Sequence, residues 1–434
     1  MASASSHGSP SAPNPVAVLV WVTSTVALVI EVVGIGAAGV SVLDPANRDR
    51  VLCAEVVIGS ARVLASLPVD DTQIRRAWPS PLLAGLPGLL AEFSGRDLVV
   101  LATGDPMVSG IGSTLMDLVG SDQIRIHPSV SSVSLARARM CWPAESCEWV
   151  SLVSNPVLAL RRYLTPQARL ILLSAGAQTP ADVARTLVDA GWPTAKITVL
   201  GDLGSVRESR FDAVASDWSG ETMPTLNVIA VELPKHEPTA QAWGSSPGLP
   251  DGAYAHDGQI SKREIRAAAL AALRPMPGQL LWDLGAGSGS VGIEWALHHP
   301  TCRTIAVERD AQRAERILAN AARLGITSLR VEHAELGDGS GVLDGLPVPD
   351  AVFIGGGLTV PVVHRTWAML SDGGRLVLHA VTIDGEEVAI EAYRRYGGAL
   401  RRISVERAEL LGRYLSWRPG RAIVQWSATK GMPE

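Results

Sequence analysis

Gly285, Ala286, Gly287, Ser288 and Gly289 form a run whose chemistry is that of an anion cradle. Glycines let a backbone turn sharply and approach a ligand closely, and free N–H groups at a helix start favour a carboxylate or phosphate. The residues just before, 279–284, are mostly apolar, as a buried parallel strand should be, and Val291, Ile293, Trp295 and Leu297 follow in a stretch read as a helix. A dinucleotide loop is written GxGxxG, but Ser290 stands where its last glycine belongs, so a nicotinamide dehydrogenase is disfavoured. The glycines instead spell GxGxG after an acidic strand residue, Asp283. A second strand, 303–307, ends at Glu308, whose two carboxylate oxygens can accept both ribose hydroxyls of a nucleoside.

This combination resembles motif I of the class I S-adenosylmethionine (SAM) methyltransferases, and SAM has both the ribose and an amino-acid tail for the loop. The elements that must hold the loop alternate as in a doubly wound sheet. Strands are expected at 329–332, 351–354 and 375–381, and helices at 311–323, 361–370 and 386–396, with strands 401–409 and 422–428 closing the sheet. Gly355, Gly356 and Gly357 end the fourth strand, either as a tight turn or in contact with the acceptor substrate. Ser261 and Glu264 are spaced as a capping box, predicting a helix from Ser261 to about Leu273 with Gln259 just outside its amino end.

The first half carries a different set of signals. Gly34, Gly36 and Gly39 fit GxGxxG to the letter, but Asp44 and Pro45 then read as an N-cap and a first helical residue, so the helix starts after the loop is over and the match is coincidental as a dinucleotide fingerprint. Downstream, the strand 97–102 leads into Gly104-Asp105-Pro106 and then Gly110-Ile111-Gly112-Ser113-Thr114-Leu115, and the strand 123–127 into Pro128-Ser129-Val130-Ser131-Ser132; Asn227 lies in a later core strand. In this order they resemble the tetrapyrrole methylases, the class III SAM methyltransferases, over about residues 29–233. The resemblance implies two α/β lobes with SAM folded between them, and it carries over Gly34, Gly36, Asp105 and Ser131 as contacts. Met107 and Val108 depart from the large or aromatic residues the family often has there.

Residues 234–248, rich in Pro, Gly and Ser and without periodicity, read as a linker. Over about residues 249–428 the chain resembles the decarboxylating methyltransferase family of cobalamin synthesis, through HDGQISKREIRAAALAAL, LWDLGAGSGSVGIEWA, AVERD, DAVFIGGG, GGRLVLHAVT and GRYLSWRP. A class III domain followed by this class I domain is the arrangement of the family's fused members. It implies two methyl transfers from SAM to carbons 5 and 15 of the tetrapyrrole precorrin-6Y, with loss of carbon dioxide from the ring C acetate. The class I half would serve carbon 15 and the decarboxylation, the class III half carbon 5; the alternative is that the first half is a scaffold or dimerisation module.

Carried over residue by residue, the class I contacts to SAM are Gln259, Gly285, Ala286, Gly287, Ser288, Gly289 and Glu308, with Ala334 near the adenine through its backbone, or Glu335 in its stead. His379 stands where relatives usually have Asn; it is a candidate proton shuttle or a hydrogen-bonded core histidine. Asp105 is the other catalytic candidate. Alignment of an activated methyl on an electron-rich carbon demands no strong nucleophile. Lys262, Arg263, Arg413 and Arg418 are candidates to meet the substrate's carboxylates.

The remaining expectations are bounds. With 434 residues, two or three domains are expected. A composition 47% hydrophobic and 19% charged, with net charge -5, fits a globular enzyme without a nucleic-acid-binding surface. Cys53, Cys141, Cys147 and Cys302 form no CxxC pair, which predicts reduced thiols in a cytoplasmic protein and no metal. The partners expected are the tetrapyrrole and further copies of the chain, a homo-oligomer. Residues 1–28 read as a disordered or apolar extension; the apolar run 16–30 is shorter than the ~20 residues a spanning helix needs and no Lys or Arg precedes it, so no membrane segment is expected.

Overall fold

The computed structural model describes residues 29–337 and 341–431. The expectation for residues 1–28 falls outside them. The chain forms two compact units, one ending at Ser131 and the other beginning at Ser132.

The first unit alternates strand and helix: β1 (Ile30–Ile35), α1 (Pro45–Cys53), β2 (Val56–Gly59), α2 (Ala61–Leu64), β3 (Ile74–Ala77), α3 (Leu82–Glu92), β4 (Leu98–Thr103), α4 (Ile111–Val119) and β5 (Ile124–His127). All pairings are parallel, in the order β3-β2-β4-β1-β5. Val32, Val33, Val99 and Val100 are fully buried, because helices cover both faces of a parallel sheet. Asp44 caps α1 by accepting from Asn47 N–H at 3.0 Å, with Pro45 at the first helical position, so the helix does begin after the glycine run.

The second unit opens with α5 (Ser132–Met140) and a five-stranded sheet made from β6 (Glu148–Ser151), β7 (Arg169–Leu173), α6 (Thr179–Asp189), β8 (Lys196–Gly201), β9 (Ser209–Val214) and β10 (Asn227–Glu232). Its order is β6-β7-β10-β8-β9, antiparallel except for β6 on β7. Residues 234–248 lack regular structure yet are tied down. Glu237 accepts from Thr194 and Gln241 from Arg323, Thr239 donates to Gly191 O at 2.8 Å, and Trp243 packs into a core cluster.

The remainder is a seven-stranded sheet. Its elements are α7 (Arg263–Leu273), β11 (Leu280–Leu284), α8 (Ser290–His298), β12 (Arg303–Glu308), α9 (Ala311–Arg323), β13 (Leu329–His333), β14 (Ala351–Ile354), α10 (Val360–Met369), β15 (Arg375–Ala380), α11 (Ile383–Tyr396) and β16 (Ala399–Ile403). A hairpin, β17 (Glu406–Leu411) and β18 (Tyr414–Pro419), precedes the last strand, β19 (Ile423–Thr429). The order is β13-β12-β11-β14-β15-β19-β16, parallel up to β15 and antiparallel on both sides of β19. The strand order reverses on either side of β11, and in open α/β sheets ligands bind at such a switch, outside the carboxyl ends of the strands. Every residue of β11 is buried, and so is α8 from Ser290 to Leu297, which makes α8 a central helix, apolar nearly all round.

Three expectations are corrected. The helix does not start at a Ser261–Glu264 capping box: it begins at Arg263, and Lys262 in the N-cap position makes no side-chain cap. The first intrahelical bond is Arg266 N–H on Lys262 O at 2.8 Å, one residue beyond Ser261, and the Glu264 carboxylate that would complete the box pairs with Arg407 at 2.5 Å. Nor does one strand run over 401–409. β16 ends at Ile403, and Gly420 N–H on Val405 O at 2.8 Å pinches the chain so that Glu406 onward pairs with β18. α11 also starts earlier than residue 386, because Thr382 accepts from Gly385 N–H at 3.2 Å and caps it.

Candidate functional site

The glycine run leaves the carboxyl end of β11 and enters α8. Gly285 and Gly289 have φ of 65° and 74°, a region other residues enter only with strain. They also have no room for a side chain: a Cβ on Gly285 would lie 2.5 Å from the Gly356 backbone, and one on Gly289 2.7 Å from Ile317 of α9. Gly355 and Gly356, the glycines after β14, are thus packed against this loop as a tight turn, with Gly355 N–H on Leu284 O at 2.9 Å. The same space at Gly287 opens on the Gln259 carbonyl, 3.5 Å away.

Glu308 ends β12 beside this loop. Its Oε2 accepts from Gly287 N–H at 2.8 Å and its Oε1 from Asp310 N–H at 3.0 Å, and it is 4% exposed. A carboxylate offers about four lone-pair sites, so two acceptor positions are left for a diol. Ser288 Oγ and Asp283 Oδ1 are buried with no partner among the described residues. A glycine cradle, a partly committed carboxylate and an unpaired hydroxyl together fit SAM by its ribose and amino-acid ends.

Asp283 sits below the loop, its Oδ2 accepting from Gly292 N–H at 2.9 Å. Burial pushes its carboxyl up from 3.8 to about 7; the Gly292 bond opposes the rise and the Glu308 charge adds to it. The folded protein therefore holds a proton that the unfolded chain has released, and stability declines as pH climbs from about 4 to about 7, by at most on the order of 4 kcal/mol. Asp283→Asn keeps an acceptor for Gly292 and is expected to flatten that limb of the melting-temperature profile; an unchanged slope refutes the assignment.

Gln259 is exposed and reaches sideways, its Oε1 accepting from Arg313 Nη1 at 3.2 Å, so its backbone rather than its amide lies nearest the loop. Asp257 anchors the same turn on Arg313 and Arg316, and the Arg313 hydrogen bond holds its carboxyl down to about 2.

Ala334 follows β13 next to Glu308, but its N–H is spent on Glu308 O at 3.1 Å and cannot donate to a ligand; Glu335 is 72% exposed and pairs with Arg309. The expectation of a backbone contact therefore narrows to the Ala334 carbonyl. His379 is not a shuttle titrating near neutrality. Burial lowers it to about 4, its Nε2 pairs with the neutral amide of Gln425 at 2.9 Å, and Phe353 packs edge-on to the ring. Of the cations expected to meet carboxylates, Lys262 lies 3.5 Å from Asp251 and Arg418 2.9 Å from Glu409, while Arg413 bonds the Tyr414 hydroxyl.

In the first unit, Gly34 at the end of β1 is pressed from three sides: a Cβ there would lie 2.6 Å from Gly104 O, 2.8 Å from Ser129 Cβ and 2.9 Å from Pro106 Cδ. This brings the Gly-Asp-Pro loop and the Ser-rich turn onto β1. Asp105 turns back on its own loop, accepting from Met107 N–H at 2.8 Å; Ser131 is buried, and Gly36 faces open space.

Sequence reasoning missed the residues that hold the class I loop in place. Asn320, 1% exposed on α9, donates to Ser288 O at 2.9 Å and exchanges two bonds with Ala255. Arg266 and Glu294 form a buried pair at 2.5 Å; Glu294 also accepts from Gly248 N–H, Leu249 N–H and the Tyr254 hydroxyl, and Arg266 donates to Ser261 O and Leu249 O. The available signal was a polar residue among apolar neighbours on a helix face, at Asn320 beside Ile317 and Ala321, and at Arg266 beside Ile265 and Ala269.

Fold and site define a methyltransferase of two joined classes. Residues 30–217 match the tetrapyrrole (corrin/porphyrin) methylases, and residues 252–430 the precorrin methyltransferase domain. A protein of Mycobacterium tuberculosis named precorrin-6Y C(5,15)-methyltransferase [decarboxylating] is 42% identical, covering 92% of this chain and 100% of its own. A protein of the same name from a Sinorhizobium species is 39% identical over 96% of this chain and 98% of its own. A shorter protein of Pyrobaculum calidifontis, named "Probable cobalt-precorrin-6B C(15)-methyltransferase (decarboxylating)", is 32% identical over 39% of this chain and 89% of its own. The chain belongs to the precorrin-6Y C(5,15)-methyltransferase (decarboxylating) family.

Proposed function

We propose that this chain transfers two methyl groups from SAM to carbons 5 and 15 of precorrin-6Y and releases the ring C acetate carboxyl as carbon dioxide, giving precorrin-8 in cobalamin synthesis. The observation that carries this is the pair of domain matches, in order, in one chain that aligns nearly end to end with relatives bearing that name. The domains extend over 29–233 and 249–434, joined by 234–248. In the C-terminal domain Gly285, Ala286, Gly287, Ser288 and Gly289 receive the amino-acid tail of SAM, Glu308 the ribose, and the Gln259 and Ala334 carbonyls flank it. In the N-terminal domain Gly34, Gly36, Asp105 and Ser131 line a second SAM site. Bound SAM supplies an activated methyl; the chain's part is alignment of that methyl with an electron-rich carbon.

Carbon 15 and the decarboxylation belong to the C-terminal domain. A separate protein named for those two steps alone, matching 39% of this chain, supports one domain sufficing for them. The protein works as a homo-oligomer in the cytoplasm, with neither nucleic acid nor membrane as partner; no helix among the described residues is long and apolar enough to cross a membrane.

Mass spectrometry after incubation with precorrin-6Y and methyl-labelled SAM tests the reading. The expected product has gained two labelled methyls and lost one carbon dioxide. One methyl with decarboxylation would confine activity to the C-terminal domain, and an unaltered pigment would refute the proposal.

A further inference from the structure

β19 lies inside the seven-stranded sheet, between β15 and β16, and its two faces differ. Val424, Trp426 and Ala428 enter an apolar core cluster. Gln425, Ser427 and Thr429, which alternate with them, line a cavity of about 360 Å³ whose other wall is α7. A strand buried on both faces ordinarily reads as a continuous apolar run. Open solvent does not account for the polar residues, since Gln425 is 2% exposed and Thr429 7%. On the helix wall Ala268, Ala271 and Ala272 leave the space unfilled.

Two guanidiniums border this cavity, and no acidic side chain lines it. Arg274 takes the left-handed C-cap position of α7 at φ 49°, where glycine is the usual residue, and its Nη2 donates to Thr429 Oγ1 at 3.1 Å. Arg401 of β16 is paired across from Gln425. Neither forms an ion pair among the described residues, whereas the next residue, Arg402, is held by Glu386 at 2.6 Å. Gln425 Oε1 meets His379 Nε2 at 2.9 Å, which leaves the amide N–H groups of a buried side chain without a partner among the described residues.

We propose that this cavity is a second binding site, for a molecule bearing two separated carboxylates. Thr429 is four residues along β19 from Gln425, roughly 13 Å at the rise of a strand, so Arg274 and Arg401 stand toward opposite ends of an elongated space. A guanidinium takes a carboxylate through two parallel N–H bonds, and the Gln425 amide and the Ser427 hydroxyl can donate between the ends. A single compact anion would meet only one end. The volume is that of a small-ligand site, and the alanine wall suits the carbon chain between the acids. The cavity is not the glycine cradle: β19 stands three strands from β11, about 14 Å across the sheet. Two sources share this chemistry. One is the acid side chains of the tetrapyrrole, an assignment that rests on the function proposed above and supplies the cations that Lys262 and Arg418, paired with Asp251 and Glu409, do not. The other is a separate small polycarboxylate.

The test titrates the full chain with decanedioate, a linear dicarboxylate, by calorimetry, and measures kcat and KM for precorrin-6Y. Arg401→Gln removes one cation, and Ala268→Leu fills the space while leaving both. Each is expected to weaken decanedioate binding at least about tenfold. The melting temperature is expected to hold, since Arg401 is exposed and Ala268 half-buried. A KM for the pigment that also rises about tenfold in both variants, with kcat held, makes the ligand an acid arm of the tetrapyrrole; a KM equal to wild type makes it a separate polycarboxylate. That rise in KM without measurable decanedioate binding still supports the first source. No decanedioate binding by the wild type together with an unmoved KM overturns the proposal, and so does binding that both variants retain. A wild type that leaves precorrin-6Y unaltered refutes the proposed function, while decanedioate binding still decides the cavity.

Discussion

Glu308→Ala is expected to weaken SAM binding at the C-terminal site about a hundredfold or more, and to reduce the sites counted per chain by calorimetry from two to one. The carboxylate is buried and already holds the loop through Gly287 and the start of the next turn through Asp310. A hydrogen bond from a ligand hydroxyl to a charged group contributes about 1.5–3 kcal/mol, and two are lost together, with each 1.4 kcal/mol worth tenfold. Removing the side chain also takes the acceptor from the Gly287 and Asp310 N–H groups, so the loop it positions loosens as the ligand contacts vanish. Glu308→Gln separates these effects. Its amide retains one acceptor oxygen and places a donor where the other stood, so it is expected to fall between wild type and Glu308→Ala. Unchanged affinity in the alanine variant would remove Glu308 from the site.

Arg266→Met is expected to destabilise the C-terminal domain by about 3–5 kcal/mol, measured as the denaturation midpoint with unaltered denaturant slope. The guanidinium is fully buried, and its removal leaves Glu294, itself 4% exposed, as an uncompensated charge. Arg266→Lys is expected to recover only part, because a single ammonium cannot reach Glu294, Ser261 O and Leu249 O together as the planar fork does. Glu294 cannot be replaced by its amide either, since its oxygens face two backbone N–H groups and a hydroxyl as well as Arg266. The pair fixes Gly248, Leu249 and Ser261, and so the segment that carries Gln259 to the glycine loop. A variant as stable as wild type would show that the segment is held by packing alone.

The strand and helix order was legible because it is written in local pattern. A short apolar run before a glycine turn reads as an inner strand of a parallel sheet, as β11 is, and the helix expected over 311–323 is the one found, with Asp310 accepting from Arg313 N–H at its start. The cap expected at Ser261 failed for a physical reason: a capping box is a local arrangement, and the carboxylate that would complete it, Glu264, is taken by Arg407 from 143 residues away. Of the two readings of His379, the proton shuttle failed likewise, since a histidine's charge depends on what surrounds it, and here that is a buried setting against Phe353 and the neutral amide of Gln425.

The sequence by itself determined the loop, its acidic neighbours and the two families joined in one chain, because glycine spacing and strand-end carboxylates act through backbone geometry that a few adjacent residues dictate. Only the tertiary structure decided that Gly285 is required by Gly356 as much as by a ligand, that Asn320 ties the loop to a helix 32 residues on, and that an alternating hairpin after β16 leaves the sheet with its apolar face bare. Each of these depends on which distant segment arrives alongside, and contacts between remote segments carry no periodicity along the chain from which they could be read.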